Sequence, residues 1–425
     1  MKYINYGLLS FPAAISLLLM QVYIPPFIAE QGILSITIIG LVFFAARLVD
    51  TVSDPLIGYL SDKTPLKTGK RRIWILVSVP LFLIVFYLII LLPKSEYHLL
   101  LLASLWYILG TAIIIPYYTW GSELSSNYND YTKWTSVRVV FGLVGSIAAL
   151  ILPVLVLDNP STVDILEFTL CFIAFSFLVA ILLILKVPDN AVVKHDGFSI
   201  ITAFSIFKKG SLFNKLILSH FFNGIANALP ATLFVFFVTY VLKRSELVGP
   251  LLVLYFLCAA LSAPLWIKLS QKWSKEAAWK FAMTLASIVF LGVLLVDESA
   301  LVLFISITIF TGFMAGADLC LPSAMLADLI DVDEYETGNR RPGIYFAIWG
   351  TVSKLTLAFA IGISFLILGL QMFEPNGQSE LVDVTVLTLL YALLPAALKL
   401  VSIVIMRGYE LSSDAHQNII SNLEK

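Results

Sequence analysis

The run Ala46-Arg47-Leu48-Val49-Asp50-Thr51-Val52-Ser53-Asp54-Pro55-Leu56-Ile57-Gly58-Tyr59-Leu60-Ser61-Asp62-Lys63-Thr64 starts inside an apolar stretch of membrane-spanning length and carries ionisable groups into it. Arg47, Asp50 and Asp54 are spaced i, i+3, i+7, which puts them on one face of a helix. A charge at membrane depth costs several kcal/mol unless it faces protein or water, so charges there mark ion or substrate paths. Two acids and one base on one face leave an acidic pocket suited to a cation. The hard oxygens of Asp50 and Asp54, with the hydroxyl of Thr51 in reach, suit Na⁺. Two carboxylates in low dielectric would also take up H⁺. The competing reading is a structural Arg47–Asp pair that locks helix packing.

Composition points to lipid as the solvent. The chain is 59% hydrophobic and 13% charged, where soluble domains carry about 25% charged residues. Its mean hydropathy is +0.93. A net charge of −1 offers no electrostatic basis for binding nucleic acid. Cys171, Cys258 and Cys320 lie far apart in apolar runs, and the histidines show no ligand spacing, so neither a disulfide framework nor a metal site is expected beyond a transported cation. No cofactor or enzyme is expected either, because no nucleophile–base cluster is present. Met1-Lys2 leads into an apolar segment without a small-residue cleavage pattern, and that segment reads as the first span.

Segmentation at polar breaks gives spans at 5–27, 35–60, 73–93, 98–123, 135–157 and 164–186, then at 211–241, 247–270, 277–296, 299–325, 342–369 and 383–406. Each approaches or exceeds the ~20 residues needed to cross the hydrocarbon core. The expected fold is an all-α membrane protein of twelve transmembrane helices in two six-helix bundles. The bundles are 1–186 and 211–406, separated by a cytoplasmic linker at 187–210 with an amphipathic stretch Phe198–Lys209, and followed by a cytoplasmic tail at 407–425. Every second loop is basic: Lys63, Lys67, Lys70, Arg71 and Arg72 fill one, Lys272 and Lys275 another, Arg340 and Arg341 a third. That alternation places both termini in the cytoplasm.

Twelve spans in two halves match the plan of the major facilitator superfamily, and the loop Gly58 to Arg72 resembles that superfamily's signature between its second and third spans. Three further stretches narrow the likeness. Arg47-x-x-Asp50-x-x-x-Asp54-Pro55 resembles the cation motif of the glycoside–pentoside–hexuronide:cation symporters. Pro116-Tyr117-Tyr118-Thr119 through Gly121-Ser122-Glu123-Leu124, with Asp130, Lys133 and Arg138, is similar to that family's fourth-to-fifth span junction. Ala324 to Glu334, followed by Thr337-Gly338-Asn339-Arg340-Arg341-Pro342-Gly343 and Lys354, resembles its tenth and eleventh spans, with weaker matches at Tyr6-Gly7, Asn223 and Asn227. The resemblance implies secondary active symport of a sugar or glycoside with Na⁺ or H⁺ by alternating access; a cytoplasmic (inner) membrane and a monomeric state are the accompanying expectations. It also implies an acid near Glu123 in the cation site. One family feature is missing: Ser10-Phe11-Pro12-Ala13-Ala14-Ile15-Ser16 carries no carboxylate where the family grips sugar hydroxyls.

Other candidates follow from depth and from the family likeness together. Lys354 lies about 18 Å into its span at 1.5 Å per residue, too deep to snorkel, and the resemblance puts it in the coupling network with Arg47. Asp318 is a deep acid that reads as a partner of Lys354 or Lys399, or as a ligand. Arg138, Asp333, Glu334 and Arg341 read as gate charges that pair across the halves. Asn223 and Asn227, one turn apart, could meet substrate hydroxyls or bond between helices, and Tyr23, Tyr118, Trp120 and Trp349 could stack on a sugar ring. Two other functions stand beside the sugar reading. One is cation-coupled movement of a lysolipid-like amphiphile; the other is a transport-inactive membrane sensor, for which the short soluble pieces leave little room.

Overall fold

The computed structural model describes residues 2–64, 69–91, 95–124, 128–156, 162–187, 211–338, 341–371 and 381–409, with 411, 419 and 421. All regular elements among these residues are helical, as lipid requires, because a helix satisfies its backbone polar groups internally. A helix stands at each of the twelve expected positions. In the first half these are α1 (Lys2–Glu30), α2 (Ile36–Asp62), α3 (Lys70–Ile90), α4 (Glu96–Glu123), α5 (Tyr128–Val156) and α6 (Thr162–Ile184). In the second they are α7 (Ser211–Phe236), α8 (Val248–Lys272), α9 (Lys275–Leu291), α10 (Leu301–Thr337), α11 (Pro342–Leu370) and α12 (Leu381–Ile405). Among the described residues, 11 helices are long and apolar enough to cross a membrane, and α5 carries a shorter apolar stretch, Val137–Ile151. The expected amphipathic stretch at 198–209 and most of the 407–425 tail lie outside the described residues.

Local chemistry sets several boundaries. Ser35, Ser95 and Ser274 precede α2, α4 and α9, and each side chain accepts a hydrogen bond from the backbone N–H three residues on. Gly338 ends α10 in the left-handed region at φ 68°, a conformation that glycine adopts without strain.

The chain divides into two compact units, Met1–Asp196 with Phe365–Gln378, and Gly197–Ser364 with Ser379–Lys425. In the first unit α2 and α3 pack on α4, α1 packs on α5, and α6 lies against α3. In the second, α8 packs along α10, α7 along α12, and α9 against both α10 and α12. The α8–α10 crossing depends on Gly312 and Gly316. A Cβ on Gly312 would fall 2.6 Å from the Tyr255 carbonyl oxygen, and one on Gly316 would fall 2.6 Å from the Ala259 carbonyl oxygen. This is a small-xxx-small contact, in which lipid-embedded helices gain stability by close backbone approach. Ser262 Oγ and Trp266 Nε1 of α8 both donate to the Phe313 carbonyl of α10, at 2.7 and 2.8 Å, and fix the crossing.

Because backbone cannot yield as a flexible side chain can, Gly316→Ala is expected to destabilise the protein by about 1–3 kcal/mol. Gly350→Ala, whose Cβ meets nothing within 4 Å, is the control and should unfold like wild type. Thermal unfolding of the two purified variants in one detergent compares them directly, and equal midpoints would contradict the close-crossing account.

Candidate functional site

In the first unit, α2 turns Arg47, Asp50 and Asp54 toward α4, which answers with Tyr107 and Thr111, themselves one turn apart. Arg47 Nη1 donates to Asp50 Oδ2 at 3.2 Å, and the guanidinium lies 4.0 Å from the centre of the Tyr107 ring. Arg47 and Asp50 are 3% and 2% exposed, so this pair is removed from both water and lipid. Thr111 Oγ1 sits 2.8 Å from Asp50 Oδ1 and 2.9 Å from Asp54 Oδ1, so one hydroxyl touches both carboxylates.

That geometry sets a chemical condition. A hydroxyl has one proton and can donate to one acceptor at a time. Its contact with the second carboxylate becomes favourable when that carboxyl is protonated, or when a metal cation is held among the oxygens. Two N–H donors of Arg47, on Nε and Nη2, and the Tyr107 hydroxyl are also buried without hydrogen-bond partners among the described residues. Pro55 has no N–H, so the Thr51 carbonyl loses its donor from the next helical turn. The Thr51 hydroxyl donates to the Arg47 carbonyl at 3.0 Å, and Ser53 Oγ donates to the Asp50 carbonyl at 2.8 Å. The structure therefore brings the Asp50 and Asp54 carboxylates of α2 together with the Thr111 hydroxyl of α4. The side chain of Glu123, expected as a further cation ligand, lies outside the described residues.

Several expected substrate contacts are engaged elsewhere. Trp120 is fully buried against Tyr6, with Arg72 5.6 Å from its ring, and so forms core rather than a sugar platform. Tyr6 and Tyr117 lock α1 to α4 through reciprocal hydrogen bonds, each hydroxyl donating to the other residue's carbonyl at 2.9 Å. Tyr118 is 47% exposed and carries the Arg138 guanidinium 3.8 Å from its ring centre. Tyr23 ends a π-helical turn, Leu19–Tyr23, within α1.

The second unit holds a separate polar cluster. Asn223 and Asn227 of α7 donate through Nδ2 to the two oxygens of Asp318 on α10, each at 2.9 Å. Their Oδ1 atoms accept from Lys399 Nζ of α12 at 2.8 and 2.7 Å. Trp279 Nε1 of α9 also donates to Asp318 Oδ1, at 2.6 Å. Both amides, expected to meet substrate hydroxyls or to bond between helices, bond between helices in this structure. The charge partner of Asp318 is Lys399, at 3.6 Å, and not Lys354. Lys354 is half-buried on α11. Trp349, also on α11, is stacked by His220 at 3.6 Å between ring centres, so one of its faces is taken.

The gate charges also find near partners. Arg341 and Asp333 form a two-pronged ion pair, with Arg341 Nε donating to Asp333 Oδ2 at 2.9 Å and Nη2 to Oδ1. Both belong to the second unit, so in this structure the pair is internal to one half and not across the halves. The Asp333 hydrogen bonds raise the Arg341 pKa above its ordinary value, which keeps the guanidinium charged. Lys275 and Asp328 pair nearby at 2.6 Å, joining α9 to α10. Glu334 is half-buried on α10.

Sequence reasoning missed Thr111, Tyr107, Trp279 and His220. A single hydroxyl or ring in an apolar helix gives no local signal, because only the neighbouring helix gives it a polar partner.

Comparison with known proteins agrees with this architecture. Residues 5–413 match the family described as MFS/sugar transport protein. An uncharacterized symporter, YnaJ of Bacillus subtilis, is 26% identical over 92% of this chain and 87% of its own length. The sodium-dependent lysophosphatidylcholine symporter 1 of Homo sapiens is 23% identical over 88% of this chain and 76% of its own length. Among solved structures, a bacterial homolog of the human lysosomal transporter Spinster superposes with a TM-score of 0.72 at 15% identity, covering 99% of this chain and 97% of that one, which speaks to the fold. With twelve helices in the expected order and a family match across nearly its whole length, the chain belongs to the MFS/sugar transport protein family and is a multi-pass membrane transporter, not an enzyme.

Proposed function

We propose that this transporter couples a monovalent cation, Na⁺ or H⁺, to uptake of a sugar or glycoside, and that the cation binds at Asp50, Asp54 and Thr111. The observation that carries this reading is the single Thr111 hydroxyl within hydrogen-bonding distance of both carboxylates. A cation neutralises the acidic face, and it also removes the cost of carrying that charge through a low-dielectric state. Arg47 holds Asp50 in place through its ion pair, and the Tyr107 ring covers the guanidinium. Alternating access would come from rocking of the two six-helix halves. In this scheme Lys354 belongs to the coupling network, and Arg138, Asp333, Glu334 and Arg341 are gate charges. The alternating basic loops support cytoplasmic termini in an inner membrane.

The family match supports a sugar or glycoside, with Tyr118, Tyr23 and the open face of Trp349 as aromatic surfaces for a ring. A second reading, an amphiphilic lysolipid, is favoured by one relative's named substrate and by the absence of a carboxylate at 10–16. The engagement of Asn223 and Asn227 with Asp318 and Lys399 also takes two hydroxyl-binding groups away from a sugar.

Asp54→Asn keeps size and hydrogen bonding but removes a charge, and is expected to abolish cation-driven accumulation while the protein still inserts. Thr111→Val removes the bridging hydroxyl at nearly constant volume and should weaken cation stimulation by about tenfold or more, the equivalent of a hydrogen bond to a charged group. Uphill uptake into proteoliposomes under an imposed Na⁺ or H⁺ gradient measures both. Undiminished accumulation by Asp54→Asn would overturn the site.

Substrate class is decided by the same vesicles with a panel of pentosides, hexuronides, β-glycosides, melibiose and a fluorescent lysophosphatidylcholine. A glycoside other than a simple α-galactoside is expected to accumulate in a cation-dependent way. Uptake confined to the lysolipid would establish the second reading.

A further inference from the structure

We infer that Asp318, Asn223 and Asn227 form a second cation site, internal to the second unit, whose resident cation is the ammonium of Lys399. The geometry is that of ion coordination. Lys399 Nζ lies 2.8 Å from Asn223 Oδ1, 2.7 Å from Asn227 Oδ1 and 3.6 Å from Asp318 Oδ2. At 2% exposure the ammonium has exchanged its water shell for these oxygens. Each amide is polarised in the same sense, with oxygen toward the cation and nitrogen toward the carboxylate, so the two amides transmit the charge attraction across the gap between Lys399 and Asp318. Trp279 Nε1 donates to the same carboxylate, at Oδ1. Neutral amide oxygens with one carboxylate make a hard-oxygen donor set, the kind that a monovalent metal ion also accepts.

The structure ties the cation to the chain. A lysine ammonium is a compact point charge on a flexible stem, and here the stem comes from α12 while the oxygens come from α7 and α10. In this structure the lysine ammonium occupies the place that a diffusible ion would take. Beside it lies a cavity of about 10 Å³, bordered by Tyr255, Thr311, Asn227, Asp318 and Lys399, enough for about one water. Removing the lysine side chain joins its volume to that cavity and takes away the ammonium that pairs with the Asp318 carboxylate. A diffusible monovalent cation, with a water, should then take the vacated place. The inference does not depend on the α2 site, since it concerns binding in the other unit.

The test separates the two sites. The 425-residue chain carrying Asp54→Asn, which removes a charge from the proposed α2 site, serves as parent. Lys399→Ala, and Lys399→Ala with Asp318→Asn, are added to it. Thermal unfolding is followed in detergent at about pH 8.5, where protons compete less for a carboxylate, with NaCl, methylammonium chloride or choline chloride at equal ionic strength. The Lys399→Ala protein is expected to gain a midpoint rise of roughly a few degrees in Na⁺ or methylammonium over choline, as mass-action binding to the folded state requires. Asp318→Asn should abolish that rise. An identical response to Na⁺ and choline in Lys399→Ala would overturn the proposal and leave the cluster as a packing device. If Lys399→Ala cannot be purified, membrane yield decides: recovery by the added Asp318→Asn supports an uncompensated charge as the fault, and equal failure of both overturns the proposal. A parent that still responds to sodium refutes the α2 assignment while leaving the comparison readable.

Discussion

A carboxylate in hydrocarbon must be answered by a positive charge, a proton or a set of donors, and this requirement organises both units. The first unit answers Asp50 with Arg47, and it sets the Thr111 hydroxyl against Asp50 and Asp54 together. The second answers Asp318 with Lys399, two amides and an indole N–H. Losing one member of a buried pair costs about 3–5 kcal/mol, because the remaining charge is left uncompensated. The helices that supply these groups are thus held in register by electrostatics as well as by packing.

The two clusters differ in how their positive charge is held. On α2 and α4 one hydroxyl proton is shared between two acceptors, an arrangement that gains when a mobile proton or ion arrives. In the second unit every short contact of the amides and the carboxylate is met by a donor or acceptor of the chain, and the cation is covalently attached. A satisfied network of this kind rigidifies its surroundings. The contrast is between two carboxylates that meet at one hydroxyl in the first unit and one carboxylate paired with a covalently attached cation in the second.

Close helix contact does the remaining mechanical work. Lipid tails are as apolar as leucine, so burial of apolar surface does little to drive helices together. Gly312 and Gly316 bring α8 and α10 to backbone contact, and the Ser262 and Trp266 hydrogen bonds to the Phe313 carbonyl pin the crossing. Tyr6 and Tyr117 do the equivalent for α1 and α4. Transport requires such rigid pieces, since a conformational change is transmitted only by elements that do not deform individually.

The amino-acid sequence alone determined the solvent, the number and order of spans, the family likeness and the charged face of α2. These depend on composition and on the helical repeat, which are properties of neighbours along the chain. Arg47 with Asp50 was readable for the same reason, the two being one turn apart. Tertiary structure decided everything that depends on which helix lies opposite. Thr111 became a bridge between carboxylates because α4 packs on α2, and Asn223 and Asn227 found an interhelical partner in Lys399, which is 176 residues from the first of them. Arg341 turned to Asp333 within its own unit, and His220 covered one face of Trp349. A polar side chain in an apolar helix states that it needs a partner; its identity is set by the packing of helices, which spacing along one of them does not encode.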